Sequence, residues 1–318
     1  MPLVLMLWIL LVPTAAAAEG PTAASAAVQA QERSKVDRDP QRIFVSAEQA
    51  AALSAAGATV LDARGRGFWL GHLPFAQPID WRDYVDGWGR TGRLPSDAAA
   101  MASGLIARGV DVARPVLVYG DAHRGYGEEG RIAWLLSYLG HPQVHILDGG
   151  YAAWRQAGQP ISRGPSGRPS ALGALRPQPQ PAVRADKAQV QAAVSGVSRS
   201  LVLDVRSETE WRGATPYFEA RGGHIPGALS LDWRQLLDEN GRLRDAAALR
   251  QALAALGVRS PDREGREIIV YCTGGVRSAF AWAVLRHLGY AQVRNYDGSF
   301  WEWAADRSLP VETVPARP

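Results

Sequence analysis

The chain of 318 residues has little sulfur, with one cysteine and three methionines, and that scarcity is the first constraint on what it does. A single thiol excludes an internal disulfide. No cluster of metal-ligating residues and no glycine pattern of a nucleotide-binding loop is present, so no metal and no cofactor are expected. No apolar run is long enough for a comfortable membrane span. Basic runs and aromatic-basic motifs are absent too. The 35 Lys and Arg against 31 Asp and Glu leave a net charge of +4 and a pI near 9.4, spread along the chain. A nucleic-acid partner is therefore not expected, although a mild positive excess helps to attract anionic substrates.

Apolar residues make up 47% of the chain, which at this length predicts about two globular domains, each burying its own core. Residues 1–18 read as a signal peptide: an apolar stretch over 3–12, then Pro13, Thr14 and four alanines before Glu19. No Lys or Arg precedes the apolar stretch, so an uncleaved anchor is the alternative. A periplasmic or secreted location follows from the signal, with no stable membrane span once it is removed. Residues 19–42, rich in Ala, Gln and Ser and then charged, are expected to be a flexible lead-in.

The one cysteine sits in Tyr271-Cys272-Thr273-Gly274-Gly275-Val276-Arg277-Ser278. A β-branched run over 267–271 predicts a buried parallel strand. An apolar face over 279–288, with Ser278 as N-cap and Gly289 as stop, predicts a helix directly after the loop. The glycines let successive amides turn inward at the positive end of the helix dipole, where a thiolate or a bound anion is stabilised. Lone cysteines are more often inert buried hydrophobes. This loop, together with the charge of Arg277, instead lowers the thiol pKa and marks Cys272 as a nucleophile.

Protein tyrosine phosphatases place five residues between such a Cys and Arg, whereas four separate Cys272 from Arg277. The shorter loop resembles that of the rhodanese-type sulfurtransferases. The same resemblance extends to Asp204-Val205-Arg206, Gly223-His224-Ile225-Pro226-Gly227-Ala228 and Asp297-Gly298-Ser299-Phe300-Trp301, in that order along the chain.

Self-comparison supplies the domain organisation. Asp62-Ala63-Arg64 matches Asp204-Val205-Arg206 at an offset of 142; Gly71-His72, Asp80-Trp81 and Tyr119 match Gly223-His224, Asp232-Trp233 and Tyr271 at 152. Beyond the loop, Leu139-Gly140, Asp148-Gly149 and Trp154 match Leu288-Gly289, Asp297-Gly298 and Trp303 at 149, so the first half's loop is three residues longer. The pattern predicts an α/β protein of two duplicated domains, each a parallel sheet flanked by helices on both faces. Residues 43–158 form the first and 184–316 the second, joined by a Pro-, Gly- and Arg-rich linker over 159–183. Strands over 58–61 and 201–205, helices opened by capping boxes at Ser46 and Ser207, and a helix over 245–256 are expected within them.

The first half has Tyr119-Gly120-Asp121 where the second has Tyr271-Cys272, so it cannot carry sulfur on a thiol. This resembles the tandem rhodaneses, whose amino-terminal domain is a structural partner. His123 and Arg124 of its loop are candidates for a separate anion site or for reaching the cleft near Cys272. His72 and His224 read as turn residues. Of Trp211, Trp301 and Trp303, Trp301 is preferred as a wall of an apolar pocket.

The resemblance implies a double displacement. Cys272 takes the sulfane sulfur of a small anionic donor of the thiosulfate or 3-mercaptopyruvate type, and a thiol, cyanide or protein cysteine accepts it. Backbone amides of Thr273, Gly274, Gly275, Val276, Arg277 and Ser278 hold the anion, Arg277 orients the donor, and Arg206 and Trp301 complete the candidate substrate-binding set. The loop departs from the thiosulfate-preferring pattern, which has two basic residues after the cysteine, and from the Cys-Gly-Ser-Gly-Val-Thr of mercaptopyruvate-preferring members. Glu210 stands where mitochondrial-type enzymes have a substrate-contacting arginine. A persulfide carrier, a non-catalytic binding module, and a phosphatase or arsenate reductase are the alternative readings.

Overall fold

The structure is a computed structural model and describes residues 42–87, 91–121, 123–167, 175–259 and 266–314. The expected signal peptide and nearly all of the expected lead-in lie outside the described residues, as does part of the linker. Among the described residues no helix is long and apolar enough to cross a membrane.

The first half runs β1 (Phe44–Val45), α1 (Ala47–Ala55), β2 (Thr59–Asp62), β3 (Gln77–Pro78), α2 (Ala98–Ile106), β4 (Val116–Tyr119), α3 (Glu128–Tyr138), β5 (Val144–Leu147) and α4 (Gly150–Gln156). The second runs β6 (Arg184–Ala185), α5 (Lys187–Val194), β7 (Leu201–Asp204), α6 (Glu208–Trp211), β8 (Leu229–Ser230), α7 (Ala246–Ala255), β9 (Ile268–Tyr271), α8 (Val276–His287), β10 (Val293–Tyr296) and α9 (Ser299–Ala305). The sheet orders are β1-β5-β4-β2-β3 and β6-β10-β9-β7-β8, all parallel. Adding five to each strand of the first sheet gives the second, which is the duplication seen in three dimensions.

Local chemistry explains the element ends. Ser46 and Ser207 form the expected capping boxes with Gln49 and Glu210, and Asp245 caps α7. The strands fall within one residue of their expected bounds. The helix after Cys272 is the exception. It starts at Val276, and its N-cap is Gly275 at φ +77°, not Ser278, which lies inside the first turn. A left-handed residue is needed to turn the chain from strand to helix in so few residues, and glycine adopts it without a steric cost.

Alternation along the central strands serves two cores. Ile269 and Tyr271 of β9 face a cluster made wholly of second-half residues, with Trp303 and Phe300. Ile268 and Val270 face a larger cluster that runs through both halves, and Cys272 continues their side. The period of two therefore aims the thiol at the other domain. In that shared core Phe280 of α8 meets Phe44 edge-on at 5.4 Å and Trp233 at 5.5 Å.

The junction is pseudo-symmetric. Leu94 N donates to Asp297 Oδ2 at 2.8 Å, and Leu243 N donates to Asp148 Oδ1 at 2.8 Å, each pair crossing between halves at the 149-residue offset. Residues 175–183 run back along the first half: Gln178 N and Gln180 N donate to the carbonyls of Leu139 and Tyr138, and Trp134 Nε1 to that of Val183.

Where α3 meets α8, a Cβ on Gly130 would stand 2.4 Å from Phe280 Cα, a backbone atom that cannot swing aside. Alanine in mid-helix normally gains about 1 kcal/mol over glycine. Gly130→Ala is expected to reverse that sign and destabilise the protein by about 1–3 kcal/mol through overpacking. A urea midpoint equal to or above that of the wild type would show that the halves slide freely at this contact.

Candidate active site

Three of the resemblance-bearing stretches meet beneath the thiol. Tyr271 OH donates to Asp204 Oδ2 at 2.7 Å and accepts from Ile225 N at 3.1 Å. Asp204 also holds Arg206, whose Nη2 donates to Asp204 Oδ2 at 2.7 Å and to the Gly223 carbonyl at 2.7 Å. The first half repeats the arrangement with Tyr119, Asp62, Arg64 and Gly71. Arg206 is completely buried, with its guanidinium 4.0 Å from the Phe300 ring, and it is not among the residues that line the cavity over Cys272. The structure thus corrects its expected place: the aspartate two residues before it and a turn carbonyl bind it behind the loop. The histidines sit at the turns, His72 Nδ1 2.8 Å from the Leu73 carbonyl and His224 Nδ1 3.0 Å from that of Trp211.

Cys272 follows β9 and is 2% exposed, at the floor of a cavity of about 140 Å³. Gly275 N donates to its Sγ at 3.2 Å. Ser278 Oγ lies 3.5 Å from Sγ and 2.7 Å from Asn295 Oδ1, so its one hydrogen has two competing acceptors. Behind the loop, Ser299 Oγ accepts from Cys272 N at 3.2 Å, and Phe300 N and Trp301 N donate to the carbonyls of Cys272 and Thr273. Burial pushes the thiol up, but the charge of Arg277 and hydrogen bonds from Ser278 and the Gly274 amide outweigh it and leave the pKa below the ordinary value.

Arg277 lines the cavity, yet its Nη1 and Nη2 donate to the two carboxylate oxygens of Glu210 at 2.7 and 2.8 Å, and Nη2 also to Thr273 Oγ1 at 2.7 Å. Glu210 is its buried partner. Burial alone would raise the Glu210 carboxyl; Arg277, Ser207 and Thr273 together hold it down at about 2. The Arg277 charge reaches the sulfur while both terminal nitrogens are committed elsewhere.

Of the expected loop residues, Thr273, Gly274 and Val276 line the cavity with Cys272, and Trp301 does so as well. Trp211 instead stacks on His224 at 3.4 Å, and Trp303 is wholly buried with Nε1 on the Pro310 carbonyl. His123 and Arg124 do not line the cavity. The first half contributes Trp81, Arg82, Tyr126 and Glu128, and the second adds Tyr217, all unanticipated. Trp81 was visible in the repeat opposite Trp233, but only the fold shows that it opens onto the cavity. From α3 the fully buried Arg131 reaches the Gly275 carbonyl at 3.4 Å and also bonds the Gly92 carbonyl. Burial lowers its pKa to about 10, against the opposing charges of Asp297 and Cys272.

In the first half the equivalent place is filled. A Cβ on Gly120 would stand 2.0 Å from Glu129 Oε2, and that oxygen has no hydrogen-bond partner among the described residues. Burial, with the charges of Glu128 and Asp121, pushes the Glu129 carboxyl up to about 8. No group of three or more His, Cys, Asp or Glu among the described residues is placed to hold a metal ion.

Duplicated five-stranded parallel sheets with a cysteine-centred loop at the end of the second middle strand define a tandem rhodanese architecture. The rhodanese-like domain model matches residues 46–157 and 186–306, and the chain belongs to that family. It is 31% identical over 293 residues to a thiosulfate sulfurtransferase of Corynebacterium glutamicum, covering 86% of this chain and 91% of that protein. It is likewise 31% identical to the sulfur carrier protein TtuD of Thermus thermophilus, covering 76% and 85%. Among solved structures, the anaerobic ergothioneine biosynthesis enzyme from Chlorobium limicola, in complex with trimethyl histidine, superposes with a TM-score of 0.75 at 25% identity, covering 86% of this chain and 71% of that one.

The rate of Cys272 alkylation by iodoacetamide against pH is expected to inflect below the range of an ordinary cysteine. In Arg277→Met combined with Glu210→Leu, which leaves no buried charge unpaired, the inflection moves up. An unmoved inflection would mean that the sulfur does not feel the Arg277–Glu210 pair. For Glu129, the folded-state pKa of about 8 exceeds the ordinary carboxyl value of 4.5, so between those pH values the folded state holds a proton that the unfolded state lacks. Stability is expected to fall as pH rises through that window, and Glu129→Gln to flatten the fall. Melting temperatures from pH 5 to 9 test this, and equal slopes in both proteins would refute it.

Proposed function

We propose that the protein is a sulfurtransferase that carries sulfane sulfur as a Cys272 persulfide, from a small anionic donor of the thiosulfate or 3-mercaptopyruvate type to a thiophilic acceptor. The observation that carries this reading is the sulfur itself: a buried thiol of lowered pKa, at the floor of a small cavity, with a loop amide donating to it. The thiosulfate sulfurtransferase and sulfur carrier named among its relatives support it.

With thiosulfate, the Cys272 thiolate attacks the outer sulfur. A new S–S bond forms on Cys272, the old S–S bond breaks, and its electron pair leaves with sulfite. The resulting persulfide anion occupies the amides that held the thiolate. Cyanide, a thiol or a protein cysteine then removes the terminal sulfur and returns the thiolate. Amides fixed by the strand and by the Ser299 and Trp301 contacts need no reorganisation when charge moves outward by one sulfur atom. The short loop places Gly275 N on the thiolate itself. A carrier that hands sulfur to a protein cysteine uses the same half-reaction and differs only in the acceptor.

Residues 1–18 support export to the periplasm or secretion. Sequencing the mature protein is expected to give Glu19 as its first residue, and a retained Met1 would argue for an anchor.

Intact mass before and after thiosulfate or 3-mercaptopyruvate, and again after cyanide, tests the function. The expected outcome is a gain of one sulfur atom that cyanide removes, absent from Cys272→Ala, whose circular dichroism is unchanged. Sulfur transfer by Cys272→Ala, or a rapidly alkylated wild-type thiol that no donor loads, would overturn the reading.

A further inference from the structure

The cavity has a second arginine, and it comes from the opposite half. Arg82 follows Trp81 in the 3₁₀ turn Trp81–Tyr84 beyond β3 and lines the same cavity as Cys272. Its guanidinium lies 4.9 Å from the Trp81 ring, its Nη1 is 3.3 Å from Asp80 Oδ1, and its side chain is 67% exposed.

The duplicate shows what this arginine is placed to meet. Arg234 follows Trp233 in an equivalent turn capped by Asp232, as Asp80 caps the first, and lies 5.1 Å from the Trp233 ring. It also crosses between the halves: Arg234 Nη1 donates to the His123 carbonyl, in the first half's loop, at 3.3 Å. Each half therefore sends an arginine toward the loop of the other. The first half's loop, three residues longer, meets its visitor with a backbone acceptor. The second half's loop is shorter, and among the described residues the Arg82 side chain hydrogen-bonds to Asp80 alone. In place of a carbonyl it faces the cavity over Cys272.

We propose that Arg82 is the residue that docks the oxyanion end of the sulfur donor, presenting the outer sulfur to Cys272. The proposal rests on the sulfur-transfer reading and deepens it, by naming the donor class as a small molecule whose negative oxygens lie at the end away from the transferred sulfur. Free hydrogen-bond donors single out Arg82. Both terminal nitrogens of Arg277 are spent on Glu210 and Thr273, whereas Arg82, although ion-paired with Asp80, uses only Nη1 there. Glu128, the one carboxylate-bearing residue lining the cavity, is held by Tyr126 N, which donates to its Oε2 at 2.8 Å.

Two alkylating reagents of similar size separate docking from chemistry: iodoacetate carries the negative charge and iodoacetamide does not. In Arg82→Gln the rate with iodoacetate relative to iodoacetamide is expected to fall roughly three- to fivefold, as for loss of one exposed ion pair, and the thiosulfate concentration needed for half-maximal sulfur loading to rise by a similar factor. Arg82→Lys restores most of both, and added salt erases the wild-type advantage. An unchanged ratio in Arg82→Gln, or an equal fall with both reagents, would overturn the proposal. A wild-type protein that prefers iodoacetate through Arg82 but takes no sulfur from either donor would remove the sulfur-transfer reading and keep Arg82 as an anion site.

Discussion

The contact of α3 with α8 is the constraint on which the rest depends. Gly130 lets the two helices approach until Phe280 packs directly on backbone, and the core there is continuous between the halves. The amino-terminal turn of α8 carries the loop that faces the thiol. Arg131, one residue beyond Gly130, spans to the Gly275 carbonyl. A half without a thiol is thereby part of the active site twice over. It fixes the position of the loop from behind, and through Trp81, Arg82, Tyr126 and Glu128 it supplies one side of the cavity.

Charge is arranged to separate two tasks that a single exposed arginine would combine. Arg277 is buried and paired with Glu210 and Thr273, so it acts on the sulfur through its field and on the loop through its geometry. A buried ion pair contributes little net stability, but removing either partner leaves a costly orphan charge. Glu210 and Arg277 are thus interdependent, and the glutamate at position 210 belongs to an internally consistent site. The serine at position 207 ties this pair to the start of α6, so a helix cap and the electrostatics of the thiol share one carboxylate.

Much of this was legible in the sequence. The duplication, the strand ends, two capping boxes and the strand–loop–helix around Cys272 rest on local chemistry and on self-similarity, both of which a sequence displays. The misplacements have a common cause. Ser278 has the chemistry of an N-cap, but the turn demanded a left-handed residue first, and Gly275 took the position. Arg206 reads as a polar substrate ligand, yet Asp204 and the Gly223 carbonyl enclose it. The Glu210–Arg277 pair spans 67 residues. Trp81 and Arg82 lie well over a hundred residues from Cys272 and join it only because α3 and α8 pack the two halves together. Contacts of that kind leave no local periodicity to read.

The carboxyl of Glu129 shows how far the two halves have ceased to be interchangeable parts. It fills the space above Gly120 that a side chain would need, so a side chain at that position would have to push the acid aside. One half keeps an acid where the other keeps sulfur, and the near-copy thereby serves as a mould for the working half and not as a spare.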